Sequence, residues 1–101
     1  MEITSSCRDR LMTTRLQGEL DHHGAKGLLE QLEREIDACL PRQLVLDFSA
    51  VSFMDSSGIA VVVRARRRMD ALGGTVMLQN VPPQPRKVFE ASGITRLVKM
   101  S

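Results

Sequence analysis

The sequence has no Trp, no Tyr and only three Phe among its 101 residues. Stacking platforms for single-stranded nucleic acid are therefore scarce. An excess of charge is lacking too. The 14 Lys and Arg against 12 Asp and Glu leave a formal net charge of +2, too small to argue for a nucleic-acid partner. The longest apolar run, Ile59 to Val63, falls far short of the roughly 20 residues that a membrane helix needs. Met1 to Ser6 lack a basic region followed by an apolar stretch, so no secretory signal is visible. A soluble, cytoplasmic protein with no membrane partner is expected. The two cysteines, Cys7 and Cys39, stand in no metal-ligand spacing and are too few for a disulfide framework. They are expected as reduced thiols packed like small apolar groups.

What is present is an ordinary globular composition, 43% hydrophobic and 26% charged. The length suits one domain spanning residues 1–101, and a chain of this size buries roughly 60–70% of its unfolded surface, enough for a core without staples. There is no internal repeat, linker or low-complexity stretch.

Hydropathy patterning gives the order of elements. Ile3 to Cys7 reads as an extended segment, with Ile3, Ser5 and Cys7 on one side. After the polar break Arg8-Asp9-Arg10, alternation resumes from Leu11 to Gly18, which predicts a hairpin. From Ala25 the period changes: Ala25, Leu28, Leu29, Leu32, Ile36, Cys39 and Leu40 form one apolar helical stripe. Glu30, Glu33, Arg34, Glu35 and Asp37 fill the other face, Asp21 is the candidate cap and Pro41 the stop. Gln43 to Phe48 suits a strand buried on both faces. The following valines favour a strand by propensity, yet Gly58, Val62, Ala65, Met69 and Leu72 recur four, three, four and three apart. That period extends too far for a strand, so a helix ending near Gly73-Gly74 is predicted. A strand over Thr75 to Gln79, a helix over Arg86 to Ala91 opened by Pro82 to Pro85, and a last strand over Arg96 to Met100 complete the chain. Strands alternating with helices imply an α/β domain with a mostly parallel sheet of about five strands, preceded by the hairpin.

Asp55-Ser56-Ser57-Gly58 lies where the loop after the buried strand becomes a helix. Each of Asp55, Ser56 and Ser57 offers an oxygen that could cap the first turn, and a cap is the plain structural role for such a triplet. Two further considerations point to a binding surface. The site stands at the carboxyl end of a strand in an open α/β sheet. A helix N-terminus bearing a hydroxyl also suits a phosphate, through its free amides and dipole. A phosphate on Ser56 would add about −1.5 to −2 charges beside Asp55, severely unfavourable at an apolar or acidic interface.

Gly18-Glu19-Leu20-Asp21-His22-His23, Leu46-Asp47-Phe48 and Ser52-Phe53-Met54-Asp55-Ser56-Ser57-Gly58-Ile59 together resemble the anti-sigma factor antagonists, the bacterial STAS-domain proteins, and in particular the sporulation-type antagonist. The likeness continues through Gly73-Gly74 to Val88-Phe89-Glu90-Ala91-Ser92-Gly93-Ile94 and spans nearly the whole chain. The resemblance implies a partner-switching cycle. The unphosphorylated antagonist would bind an anti-sigma factor that is also a serine kinase of the GHKL type, and so free a sigma factor. That kinase, using ATP and magnesium, would phosphorylate Ser56 and end the binding, and a PP2C-type phosphatase would restore it. Asp21 matches a loop aspartate at the kinase-binding surface, and Asp55, Ser56, Ser57 and Gly58 are the other expected contacts, with Gly58 letting a partner come close. The chain itself would need no cofactor. Family members usually continue into a C-terminal helix, whereas this sequence ends at Ser101; apolar surface left on the sheet would then favour weak self-association.

Other readings are weaker. Asp21-His22-His23 lacks a third or fourth ligand at a recognisable spacing, so no metal site is expected. His22 and His23 are the only histidines, and no nucleophile elbow surrounds the serines, so no enzyme is expected. Arg64, Arg66, Arg67 and Arg68, with Arg86 and Lys87, could form an anion-binding patch, but without interleaved aromatics they read as a solvated helix face paired with the acidic first helix. A STAS regulatory module in a stress or other circuit without a sigma-factor output is the alternative to the antagonist reading.

Overall fold

Five strands and three helices follow one another in a computed structural model that describes all residues, Met1–Ser101. They are β1 (Glu2–Arg8), β2 (Leu11–Leu20), α1 (His22–Cys39), β3 (Gln43–Met54), α2 (Ser57–Ala71), β4 (Thr75–Gln79), α3 (Pro83–Ser92) and β5 (Lys99–Met100). The sheet order is β1-β2-β3-β4-β5. Its first pair is antiparallel and the rest are parallel, the hairpin and mostly parallel sheet expected from the sequence.

The hairpin turns on Asp9 and Arg10, both with positive φ (51° and 64°), between the paired residues Arg8 and Leu11. A two-residue turn of this hand matches the twist of the strands, and its usual sequence is Asn-Gly or Asp-Gly. Arg10 fills it without a glycine. Its carbonyl accepts the Arg42 amide at 2.8 Å and so fixes where β3 begins.

Alternation along the strands divides the sheet into two faces. Met12, Thr14, Leu16, Leu44, Leu46, Phe48, Val76 and Leu78 are buried, and they join the helices' Leu28, Leu32, Ile36, Val61, Val62, Ala65, Met69 and Phe89 in one core. Full burial of each leucine or isoleucine contributes about 1.5–3 kcal/mol. Phe48 and Phe89 meet edge to face, centroids 5.3 Å apart at 90°, which ties α3 to the middle of β3. Thr14 is the only buried polar residue, and its hydroxyl shares a 2.8 Å hydrogen bond with Ser5. The opposite face carries Arg15, Gln17 and Asp47 and is largely polar, with Val45 buried on it outside the main core.

Three features differ from the sequence reading. β3 runs on past Phe48 to Met54, because its second half pairs with β2 alone and carries two bulges that break the alternation. The last strand is only Lys99–Met100, because Gly93 (φ 78°) ends α3 and Ile94–Arg96 form a 3₁₀ turn that leaves Leu97 51% exposed. Cys7 and Cys39 are joined as a disulfide and are not free thiols. Cys7 shares its strand side with Ile3 and Ser5 but is exposed, and Cys39 lies half-buried on the apolar stripe of α1. α1 packs back along the hairpin so that its last turn meets the edge strand, with Cα atoms 6.1 Å apart across 32 residues, within disulfide reach.

Two arginines of α2 reach across to α1. Arg64 reaches Glu33 at 3.1 Å, and Arg68 grips Asp37 through Nε (3.0 Å) and Nη2 (2.6 Å) while reaching Glu33 at 3.5 Å. Asp37 and then Glu33 hold the Arg68 guanidinium in its charged form. Arg64 and Arg68 thus form a seam with acidic α1, whereas Arg66 reaches Asp70 of its own helix at 3.9 Å, so only part of the basic cluster pairs with α1.

Candidate functional site

β2 and β3 end side by side. Leu20 pairs with Met54 in register, so Asp21 and Asp55 leave neighbouring strand ends. The Asp55 amide donates to the Leu20 carbonyl at 3.2 Å, which extends the ladder by one bond into the loop. Two bulges in β3, one between the pairs Arg15↔Asp47 and Gln17↔Ala50 and one between Gly18↔Val51 and Glu19↔Phe53, place this end. Bulges bend a strand and re-aim its side chains, and they recur next to functional sites. Phe53 is left 44% exposed beside the loop, with Met54 fully buried.

Asp21 is the N-cap of α1. Its Oδ1 accepts the Gly24 amide at 2.8 Å. That bond, helped by His23 and opposed by partial burial, holds its carboxyl below the ordinary value of 3.8. Asp47, lower on β3, is pushed up by burial. The amide and hydroxyl of Ser49, the Asn80 amide and the Arg15 charge outweigh this and leave it lowered.

At α2 the capping work falls to Asp55. Its Oδ1 accepts the Ser57 amide at 2.7 Å, and its carbonyl accepts the Gly58 amide at 3.1 Å. The Ser56 carbonyl accepts Ile59 at 3.1 Å and Ala60 at 3.4 Å. The amides of the first turn are therefore already paired. A phosphate here would find these helix amides occupied, contrary to the expectation from the sequence. Ser56 occupies the N-cap position, is exposed, and its hydroxyl makes no capping bond. Ser57 is half-buried and points toward α1, where it borders a concavity of about 450 Å³ with His22, His23, Lys26, Leu29 and Ala60. His22 and His23 are exposed, and no group of three potential ligands stands near them.

Gly58 departs from its expected place. It is buried, and a Cβ there would collide with the Met54 side chain and lie 3.1 Å from Leu20 Cδ2. It lets α2 start directly against the end of β3, and it offers no surface on which a partner could come close.

Gln84, in the first turn of α3, was not singled out from the sequence. Its Oε1 accepts the Met54 amide at 2.9 Å and its Nε2 donates to the Met54 carbonyl at 2.7 Å. The contact spans 30 residues and no local pattern announces it.

The STAS domain family matches residues 2–101. The chain is 36% identical over 80 residues to an anti-sigma F factor antagonist of Lysinibacillus sphaericus, covering 79% of this chain and 68% of that one. It is 28% identical over 88 residues to the anti-sigma F factor antagonist of Paenibacillus polymyxa, covering 87% and 75%. Among solved structures, the unphosphorylated anti-sigma factor antagonist SpoIIAA superposes with a TM-score of 0.84 at 31% identity, over 99% of this chain and 88% of that one. SpoIIAA of Bacillus in its phosphorylated form gives 0.71 at the same identity, over 99% and 91%. No helix is long and apolar enough to cross a membrane. A five-stranded mixed sheet under three helices, a serine-bearing turn at the end of its third strand, and these likenesses have one reading: the chain belongs to the STAS domain family, in which the anti-sigma factor antagonists fall.

Proposed function

We propose that this protein is an anti-sigma factor antagonist whose binding to its partner is switched off by phosphorylation of Ser56. The observation that carries the reading is the division of labour in the turn. Asp55 does the capping, so the exposed Ser56 hydroxyl is spared from any structural duty and can be modified without loosening α2. Because the neighbouring amides are already paired, a phosphate on Ser56 would keep about −1.5 to −2 charges unneutralised beside Asp55, across from Asp21 on the adjacent strand end. Added to a surface that docks a partner, that charge repels and resists desolvation.

In this reading the partner is an anti-sigma factor and serine kinase of the GHKL type. It supplies ATP, magnesium and the catalytic groups, so Ser56 is a substrate and this chain performs no catalysis. A PP2C-type phosphatase reverses the modification. Asp21, Asp55, Ser56 and Ser57 form the docking surface in the cytoplasm; Gly58 supports it from below.

The test is to incubate the protein with the anti-sigma factor kinase encoded beside it, with ATP and magnesium, and weigh the product. Wild type should gain one phosphate and lose affinity for the kinase. Ser56→Ala should gain none, and Ser56→Asp should bind weakly from the start. Phosphate on Ser57 or Ser52 in place of Ser56 would overturn the assignment.

A further inference from the structure

The strand end that carries the switch turn has lost its neighbour on one side. β4 pairs with β3 only over Gln43–Asp47, while β3 continues to Met54. Along a parallel ladder the amide and carbonyl of one residue face one side and those of the next face the other. The Asp55 amide faces β2 and bonds Leu20. The Met54 amide and carbonyl face the other way, toward the edge that β4 has left. A buried strand end with an unpaired donor and acceptor would be costly.

Gln84 fills that place. A primary amide carries an acceptor and a donor side by side, as a backbone peptide does, and Gln84 offers both to Met54 at 2.9 and 2.7 Å. One side chain thus stands in for a missing strand. It is also held on a stiff base. Pro82, Pro83 and Pro85 flank it, each with φ fixed by its ring, Pro85 is buried, and Phe89 one turn on packs against Phe48 of β3.

We propose that Gln84 is the positioning residue of the switch turn: by completing the ladder at Met54 it fixes the point from which Asp55 and Ser56 leave the sheet. Its functional part rests on the reading of Ser56 as phosphoacceptor. Gln84 sends both of its hydrogen bonds to Met54 and neither to the serine. It acts through Met54, and an Ser56 hydroxyl that wanders by about an ångström would lose up to a hundredfold in a positioned transfer.

Two variants and two readouts test this. Gln84→Ala removes both bonds. Gln84→Glu keeps an acceptor for the Met54 amide but sets a carboxylate against the Met54 carbonyl at neutral pH; protonated, below about pH 4, it regains the donor. Amide exchange measured by NMR, normalised to intrinsic rates and to wild type at each pH, should show protection at Met54 and Ser57 falling roughly tenfold in both variants at neutral pH. Leu78 in β4 should be unaffected. At acid pH the Glu variant should regain protection and the Ala variant should not. With the kinase, kcat for Ser56 phosphorylation should fall roughly tenfold or more in Gln84→Ala while KM changes little. Unchanged protection at Met54 and Ser57 in Gln84→Ala would overturn the proposal. Altered protection with unchanged kcat would overturn its functional part. If wild type itself takes no phosphate on Ser56, the phosphoacceptor reading fails, and the exchange data still decide the role of Gln84.

Discussion

Asp55 Oδ1 holds the Ser57 amide at 2.7 Å, and this bond gives two adjacent serines different fates. Ser57 is drawn into the first turn of α2 and toward the concavity under α1, while Ser56 is left outside with a free hydroxyl. Removing the cap in Asp55→Ala should lower stability by about 1 kcal/mol, the usual worth of such a bond. Ser56→Ala should change it by less than about 0.5 kcal/mol, because no structural bond is lost. Urea unfolding of both variants checks the contrast. Equal losses would mean that Ser56 shares the capping and is not spare.

Asp21 makes stability depend on acid. The Gly24 amide lowers its carboxyl, so the unfolded chain takes up this proton at a higher pH than the folded one. The stabilisation is complete above the ordinary value of 3.8 and is lost as pH falls through the lowered folded value. Asp21→Asn retains an oxygen for the cap but cannot titrate. Its melting temperature should therefore fall less steeply than wild type below about pH 5. Asp47 titrates over the same range in both proteins, so the difference between the two profiles belongs to Asp21.

Gly58 should behave as a packing residue. Gly58→Ala puts a methyl group into the Met54 side chain and should cost about 1–3 kcal/mol, the range for overpacking. Met54→Ala also destabilises, by leaving a cavity. The double variant should be more stable than the sum of the two losses predicts, because one change makes room for the other. Strict additivity in thermal unfolding would show that α2 shifts away as a unit instead.

The Cys7–Cys39 bond ties the edge strand to the last turn of α1 and closes a loop of sequence separation 32. By chain entropy such a crosslink stabilises by about 3–4 kcal/mol. Thiol titration of the unfolded, unreduced protein should find no free cysteine. Reduction, or Cys39→Ser, should lower the urea midpoint accordingly without changing the fold. A midpoint indifferent to reductant would mean that the reduced chain is already constrained by packing.

The helices were legible because their signal is local. α1 announced itself by the recurrence of Leu28, Leu32 and Ile36, all buried as expected. α2 was the harder case, since Val61, Val62 and Val63 favour a strand, and the period through Ala65 and Met69 decided correctly. The opposed charges of Arg64 and Arg68 with Glu33 and Asp37 were also foreseeable, as acidic and basic faces on two amphipathic helices. What could not be read depends on distant neighbours. The tail of β3 has little alternation of its own, and it is a strand because β2 lies beside it. The disulfide and the Gln84–Met54 bonds join residues 30 or more apart, and Gln84 sits among prolines where nothing in the local sequence asks for an amide.

The two bulges of β3 also make this strand unusual in how it tolerates change. Each inserts one residue against β2 and so absorbs a change of parity along β3. Buried Val51 pairs with Gly18 and buried Met54 with Leu20, so which side chains face inward follows the pairing with β2 and not the count of residues along β3. Losing the surplus residue of one bulge, Ser49 or Ser52, would restore an unbroken ladder there and leave Met54 opposite Leu20. β3 therefore carries two places where its length can change by one residue while the switch turn keeps its position.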